Sequence, residues 1–312
     1  LYETAVKAGF YGLERSGVFG KKDNVRKYWE DVFVKAAIRR PLETLLAMCD
    51  RLRIVDLGAG SGEGLELLTH VPPARPVQAS NPFLLHEDRI EVYEGLDLSP
   101  AMVAQGKENY LDKEYCSFRE ADLSQGFPLG GEAPFHIYFS SYGSLSHLTA
   151  AELEHLSAQV FTHAANGSIM VYDVYGRCSP EWPGYWSRSA DEQLPYNMGY
   201  LLPPPEQDPR TVEWCNVTFW TGRELVEMVR RAGLACGAQV RVLALKDRSI
   251  LVGRHMDTAF FRPRSLGVRQ QVNHLFDRDS RGDTAGLSLD LSYQDGVRDH
   301  VPQAYRRIQD YQ

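Results

Sequence analysis

The sequence predicts an α/β protein: a doubly wound, mostly parallel seven-stranded sheet with an antiparallel edge strand, preceded by N-terminal helices and followed by a C-terminal extension. Three observations carry this. A short apolar, β-branched run from Leu52 to Leu57 opens into Gly58, Gly60, Gly62 and Gly64 and then into a helical pattern, as a buried strand does when it turns into a helix over a glycine loop. Strand-like and helix-like segments then alternate, the pattern of crossover units in a parallel sheet. Two last strand-like runs, Ala238 to Leu245 and Ser249 to Arg254, are separated only by Lys246-Asp247-Arg248, a tight hairpin that would finish the sheet antiparallel. With 312 residues and 43% apolar side chains, the chain can build one large domain with additions, or two domains. The expected division is a helical lid or preface over 1–50, a sheet domain over 51–255 with an insertion at 174–220, and a helical extension over 256–312.

Composition removes several function classes. A net charge of −7 with no concentrated basic face argues against a nucleic-acid partner. No apolar run approaches the roughly 20 residues that span a bilayer, and the first residues show no charged-then-apolar signal pattern, so no membrane is expected. The five cysteines, at 49, 116, 178, 215 and 236, are scattered, odd in number and never in a Cys-x-x-Cys pair, which reads as reduced thiols in a cytoplasmic protein without a structural metal. A homodimer is left open.

In chain order, residues 1–22 carry Tyr2, Phe10, Tyr11 and Phe19 among glycines, an arrangement suited to a lid. From Asp23 to Met48 apolar residues recur at helical spacing, Tyr28 and Trp29 among them, with Pro41 as the break between two helices. At the glycine turn the main chain can take positive φ and meet a ligand without a Cβ, and the helix beginning at Glu63 offers free N–H groups. A dinucleotide turn has glycine at its first, third and sixth positions; counted from Gly58 the sixth is Glu63, and counted from Gly60 it is Leu65. Asp56, two residues before the first glycine, would repel a pyrophosphate but suits a ligand bearing an ammonium and a sulfonium. The balance favours S-adenosylmethionine (SAM), with Tyr28 and Trp29 either covering it or serving as helix packing.

After a proline-rich insertion from Val71 to Asp88, the second strand, Ile90 to Asp97, leads into Leu98-Ser99-Pro100. Ser99 is a good N-cap and Pro100 a good first residue for a helix running to Tyr110, so Asp97 sits at the carboxyl edge beside the glycine turn. There a carboxylate can accept both ribose hydroxyls; capping its own loop is the alternative. A third strand, Tyr115 to Glu120, is followed by Ala121-Asp122-Leu123, where Asp122 offers an acceptor to an adenine amino group. A fourth, Phe135 to Phe139, runs into the loop Ser140 to Leu148, and Thr149 with Glu152 forms a capping box for the helix Ala150 to His163. A fifth strand, Gly167 to Asp173, precedes roughly 50 residues of mostly irregular chain, a length that usually signals function. That stretch holds Trp182, Trp186, Trp214 and Trp220, and its last part, Thr211 to Trp220, reads as extended. Thr221 and Glu224 form a second capping box for a helix to Ala232 with Gly233 as its C-cap. Beyond Met256 the chain is polar, with helices near Val268 to Phe276 and Gly296 to Tyr311, and Arg262, Arg264, Asp277 and Asp279 read as solvated charge, with an anion or metal site as the alternative.

Asp56-Leu57-Gly58-Ala59-Gly60-Ser61-Gly62, Gly95-Leu96-Asp97-Leu98-Ser99, Ala121-Asp122-Leu123 and the helix entry Thr221-Gly222-Arg223-Glu224-Leu225 follow one another in an order that resembles a class I SAM-dependent methyltransferase of the small-molecule type. The resemblance implies Asp56, Gly58, Ala59, Gly60, Ser61 and Gly62 at the methionine end, Asp97 at the ribose, and Leu98 and Met102 on the adenine face. It also implies Ala121, Asp122 and Leu123 at the adenine edge, with Ser140 and Ser141 bordering the sulfonium. The chain departs from the family pattern in the long gap between Gly62 and Asp97. It also lacks an Asn/Asp-Pro-Pro-Tyr/Phe motif after the fourth strand, and Asp173-Val174 stands where metal-dependent relatives carry Asp-Asn, so no metal is implied.

Methyl transfer from a sulfonium is an in-line displacement, so the protein's main task is alignment and exclusion of water. For an acceptor that still carries a proton, His147 is the leading base because it follows the fourth strand on the ligand edge; a histidine bonded to backbone is the equal alternative. Asp173 comes second, and Tyr142 is placed to orient an acceptor. The tryptophan-rich stretch points to a planar, apolar or cationic small molecule as partner, with core packing accounting for about half of those tryptophans. The rival readings are a nicotinamide-dependent oxidoreductase and a catalytically silent SAM-binding protein.

Overall fold

The computed structural model describes residues 2–7, 9–12, 30–75, 82–179, 181–201 and 212–249, together with positions 208, 210, 255, 271 and 279. The chain divides into two compact units, Leu1–Lys21 with Val34–Val174 and Arg223–Lys246, and Lys22–Phe33 with Tyr175–Gly222 and Asp247–Gln312. Among the described residues no helix is long and apolar enough to cross a membrane.

The first unit holds the predicted α/β layers. Five parallel strands, β1 (Leu52–Leu57), β2 (Ile90–Asp97), β3 (Cys116–Glu120), β4 (Ile137–Phe139) and β5 (Ile169–Met170), lie in the order β3-β2-β1-β4-β5. β1 is central, and every residue from Ile54 to Leu57 is buried, which is why its sequence is a continuous apolar run broken only by Asp56. β3 lies at the edge and buries only Phe118. The strand order turns back between β1 and β4, so the carboxyl ends of these two strands form the crevice where open α/β sheets bind ligands.

Helices α1 (Tyr2–Lys7), α2 (Asp31–Met48), α3 (Glu63–Thr69), α4 (Pro100–Asn109), α5 (Ala150–His163) and α6 (Gly222–Cys236) complete the order. Ser99 caps α4 and Thr149 caps α5 with the full reciprocal box at Glu152. The core gathers Val34, Ile38, Leu42 and Leu45 from α2, Leu67 and Leu68 from α3, and Ile54, Tyr93, Ile137 and Phe139 from the sheet. The insertion after α3 is closed at its base: Val71 and Leu85 are fully buried and the Leu84 N–H donates to the Val71 carbonyl at 2.9 Å.

Several expectations are corrected. Pro41 does not divide two helices; α2 runs through it from Asp31 to Met48. A proline inside a helix costs about 3 kcal/mol, and the buried face on both sides of it, Ile38 before and Leu42 and Leu45 after, offsets that by packing into one core. Gly233 is not the cap of α6, which continues to Cys236. Gly237 takes the left-handed conformation instead (φ +73°), with the Ala238 N–H on the Gly233 carbonyl and the Gly237 N–H on the Leu234 carbonyl. A Cβ at Gly233 would come within 2.8 Å of Val240 Cγ2, so that glycine serves packing.

The sheet has five strands among the described residues rather than seven, because residues 238–245 carry no strand and 250–254 lie outside the described residues. The antiparallel pairing falls in the second unit, where β6 (Gln193–Asn197) and β7 (Trp214–Thr218) pair from Gln193↔Thr218 to Asn197↔Trp214, inside the stretch expected to be mostly irregular. Pro195 within β6 disguises it, since proline belongs to edge strands, and in a two-stranded sheet both strands are edges. Of the predicted helices beyond Met256 only Gln271, which is helical, is among the described residues; the rest lie outside them.

Pro41→Ala restores a backbone donor in mid-helix without touching the buried face of α2. It is expected to raise stability by about 1–3 kcal/mol, read as a higher urea midpoint at unchanged slope; an unchanged or lower midpoint would show that Pro41 is itself needed for packing.

Candidate ligand site

The turn after β1 is held from three sides. From β2, the Leu96 carbonyl accepts from the Gly58 and Ala59 N–H groups, both at 2.8 Å, and Asp97 Oδ2 accepts from the Gly60 N–H at 2.8 Å. From α4 and the residue after it, Asn109 Nδ2 donates to the Ser61 carbonyl (3.2 Å) and the Tyr110 hydroxyl to the Gly62 carbonyl (2.8 Å). From the loop after β4, Ser144 Oγ donates to the Gly58 carbonyl at 2.7 Å. Gly58, Gly60 and Gly62 all take positive φ, but only at Gly60 would a Cβ meet nothing within 4 Å. At Gly62 it would lie 2.5 Å from the Tyr110 ring, and at Gly58 it would lie 2.5 Å from Ser144 Cβ. Gly60 is therefore where bare main chain faces open space.

Asp97 adds a second tie, accepting from the Ser99 N–H at 2.9 Å, and the Ala121 N–H donates to its carbonyl at 2.9 Å. Burial raises its carboxyl above the usual range, and the Ser99 and Gly60 N–H bonds act against that rise. Beside it Leu98 is 63% exposed, a large apolar side chain in the open, whereas Met102 is buried. Asp122 is exposed and caps its own turn, with Oδ1 accepting from the Ser124 hydroxyl (2.7 Å) and N–H (3.0 Å), contacts that hold its carboxyl below the ordinary range. Leu123 is buried behind it.

Asp56 is fully buried, with Oδ2 accepting from the Tyr93 hydroxyl at 2.6 Å. Burial pushes its carboxyl up to about 7; Tyr93 pulls the other way, and the neighbouring Asp97 and Glu63 charges raise it further. Its other oxygen, Oδ1, has no hydrogen-bond partner, and neither have the buried hydroxyls of Ser61 and Ser140. Ser140 follows Phe139, the β4 residue paired with Asp56, so these three atoms sit on β1, the glycine turn and the end of β4, the segments that meet at the crevice. Ser141 is buried, and its carbonyl accepts from Ser144 Oγ at 3.0 Å.

The loop after β4 is tightly built. Tyr142 is the only non-glycine among the described residues with positive φ (+57°), an uncommon conformation for a bulky side chain. Asp173 holds it there, its Oδ2 accepting the Tyr142 N–H at 2.8 Å and its carbonyl the Gly143 N–H at 3.1 Å. The Tyr142 ring packs against the sheet core. His147 shares a 3.0 Å hydrogen bond between Nε2 and the Tyr2 hydroxyl of α1, and burial brings its imidazole down to about 4, well below the range that suits a general base near neutral pH. Thus Tyr142, Asp173 and His147 all carry structural contacts of this loop.

Tyr28, expected over the cofactor, lies outside the described residues. In the second unit, Trp182, Tyr196, Tyr200 and Phe219 pack into a core of their own, Trp182 lying 4.9 Å from Phe219 and Tyr175 stacking on Tyr196 at 4.6 Å. Of the four tryptophans in this stretch only Trp214 is exposed, so packing claims more of them than the half expected. Sequence reasoning missed Asn109, Tyr110 and Ser144 as supports of the turn and Tyr93 as the partner of Asp56. For the first three the signal is position, at the end of the helix after β2 or in the loop after β4; Tyr93, in mid-strand, carries no such signal.

No protein-family model and no curated protein matches the chain. Among solved structures it is similar to a SAM-dependent methyltransferase from Clostridium acetobutylicum, with 12% identity, TM-score 0.42, 73% of this chain and 86% of that one covered. It is also similar to CalS10, an amino pentose methyltransferase from Micromonospora echinaspora (18%, TM-score 0.41, 73% and 88%), and to the CcbJ methyltransferase from Streptomyces caelestis (14%, TM-score 0.40, 68% and 86%).

Two outcomes follow from this geometry. Gly60→Ala meets only the cost of positive φ, about 1–2 kcal/mol, whereas Gly62→Ala adds a collision with Tyr110 and is expected to cost about 1–3 kcal/mol more; equal losses in denaturant titrations would contradict the assigned contacts. Because the folded-state value of Asp56 lies above its unfolded value, the ligand-free protein loses stability as pH rises from about 4 to about 7. Asp56→Asn should therefore raise the melting temperature at pH 8 and leave it nearly unchanged at pH 4, with a gain of up to about 4 kcal/mol; a gain independent of pH would disprove the buried-charge assignment.

Proposed function

We propose that the protein is a SAM-dependent methyltransferase acting on a small-molecule acceptor. The observation that carries this is the trio of buried polar atoms without partners, Asp56 Oδ1, Ser61 Oγ and Ser140 Oγ, around the one turn whose main chain stays open at Gly60. Each unmatched buried polar atom costs about 1–3 kcal/mol, so a concentration of them at the crevice of an α/β sheet calls for a ligand. The charge of the site chooses between ligands. Asp56, Asp97 and Glu63 form an acidic surround that opposes a pyrophosphate and favours an ammonium and a sulfonium.

In this reading Asp56, Ser61 and the glycine turn hold the methionine end, Asp97 the ribose, and the exposed Leu98 with Met102 the adenine face, while Ser140 and Ser141 border the reacting centre. SAM supplies a methyl group on a sulfonium, activated for in-line displacement. The chain's own part is alignment: Asp97 is fixed by two N–H groups before any ligand arrives, and the Tyr142 turn is fixed by Asp173. A histidine titrating near 4 gives little assistance as a base, so the loop after β4 orients and excludes water rather than abstracting a proton.

Calorimetry with SAM, S-adenosylhomocysteine and NADH tests the reading. The two sulfur nucleosides should bind and Asp97→Ala should weaken them at least about tenfold; binding of NADH alone would sink it. Release of S-adenosylhomocysteine in a screen of small amines, phenols and carbon acids would establish turnover, and binding without turnover on any of them would favour a silent SAM-binding protein.

A further inference from the structure

Tyr93 makes no contact with the glycine turn, yet it makes the one side-chain hydrogen bond given to Asp56. It lies on β2, with its Cα partnered to that of Ile54 on β1, and is fully buried, with the Phe118 ring edge-on at 6.0 Å. Its hydroxyl meets Asp56 Oδ2 at 2.6 Å, while Asp56 Oδ1 has no partner. Asp56 is crowded into this orientation: a Cβ at Gly64 would collide with Oδ2 and would lie 3.0 Å from Phe139 Cε1. The charged groups that face it, Asp97 at the end of β2 and Glu63 at the start of α3, are both carboxylates. Tyr110, after α4, and Cys116, on β3, are held neutral by burial.

A buried carboxylate among carboxylates is driven to take up a proton, and a hydrogen bond donated to its charged form is what opposes that. Resting on the SAM reading, we propose that Tyr93 is a positioning residue: its hydroxyl fixes one Asp56 oxygen and keeps the group a carboxylate, so that the other oxygen is presented to the ammonium of the ligand's amino-acid end. It touches no reacting atom, and its effect reaches the ligand only through Asp56.

The test compares S-adenosylhomocysteine, which carries that ammonium, with 5′-methylthioadenosine, which keeps the nucleoside and lacks the amino-acid end. In the wild type, affinity for the first should fall as pH drops through about 7, where the carboxylate takes up its proton, and affinity for the second should not. Tyr93→Phe should weaken S-adenosylhomocysteine about tenfold at pH 7, move its pH midpoint upward, and leave methylthioadenosine unchanged. Equal weakening of both probes would mean a merely structural role and overturn the inference, as would unchanged binding of both. If Tyr93→Phe melts below the assay temperature, both proteins are titrated at a lower temperature where both are folded, with the same contrast between the two probes expected and equal losses again overturning the inference. Wild-type protein that binds neither probe would overturn the SAM reading and this inference together, whereas wild-type binding with an indifferent Tyr93→Phe removes this inference alone.

Discussion

The clamp between the end of β2 and the turn after β1 is the constraint on which the site depends. One carbonyl, that of Leu96, and one carboxylate, that of Asp97, take up the N–H groups of three consecutive residues, Gly58, Ala59 and Gly60. A glycine-rich turn left to itself would carry a large conformational entropy, and fixing it on binding would weaken any ligand. Here the entropy is lost in folding. Asn109, Tyr110 and Ser144 then hold the carbonyls of Ser61, Gly62 and Gly58, so the turn presents a formed surface.

Charge works against stability in the same place. Asp56 in a fully buried position, facing Asp97 and Glu63, is a cost to the folded protein that a hydrophobic residue would not impose. Such a group fits a site whose ligand brings the missing positive charge, and the unpartnered hydroxyls of Ser61 and Ser140 fit the same account. The buried charge on β1 is met within the protein by Tyr93, which holds the carboxylate with a single hydrogen bond.

The loop after β4 shows how a functional edge is stiffened. Tyr142 occupies a conformation that costs of order 1 kcal/mol or more, and it persists because Asp173 accepts the main-chain N–H groups on both sides of the Tyr142 Cα and the Tyr142 ring packs against the core. α1 reaches the same loop through Tyr2 and His147, and the next part of the N-terminal segment reaches α4, the Tyr11 carbonyl accepting from Asn109 at 3.0 Å. The N-terminal segment therefore ties both the loop after β4 and the end of α4. The aromatics of the second unit are the opposite case: tryptophans that read as a binding surface spend themselves on a local core of their own.

By itself the sequence determined what depends on near neighbours in the chain. The apolar run and glycine spacing at 52–64, the Ser99 and Thr149 caps, and Asp97 at the edge of its strand all follow from periodicity, propensity and turn chemistry within about ten residues. It also misread what depends on the same near neighbours when distant packing overrules them, as where α2 passes through Pro41 and Pro195 enters a two-stranded sheet. Only the tertiary structure decided that Asp56 faces Tyr93, 37 residues away, that the Asp97 carboxylate turns to Gly60, and that His147 is hydrogen-bonded to Tyr2, 145 residues away. The physical reason is that burial and charge belong to a place in space rather than in the chain: a carboxylate or an imidazole acquires its proton affinity from whatever distant segments exclude water around it.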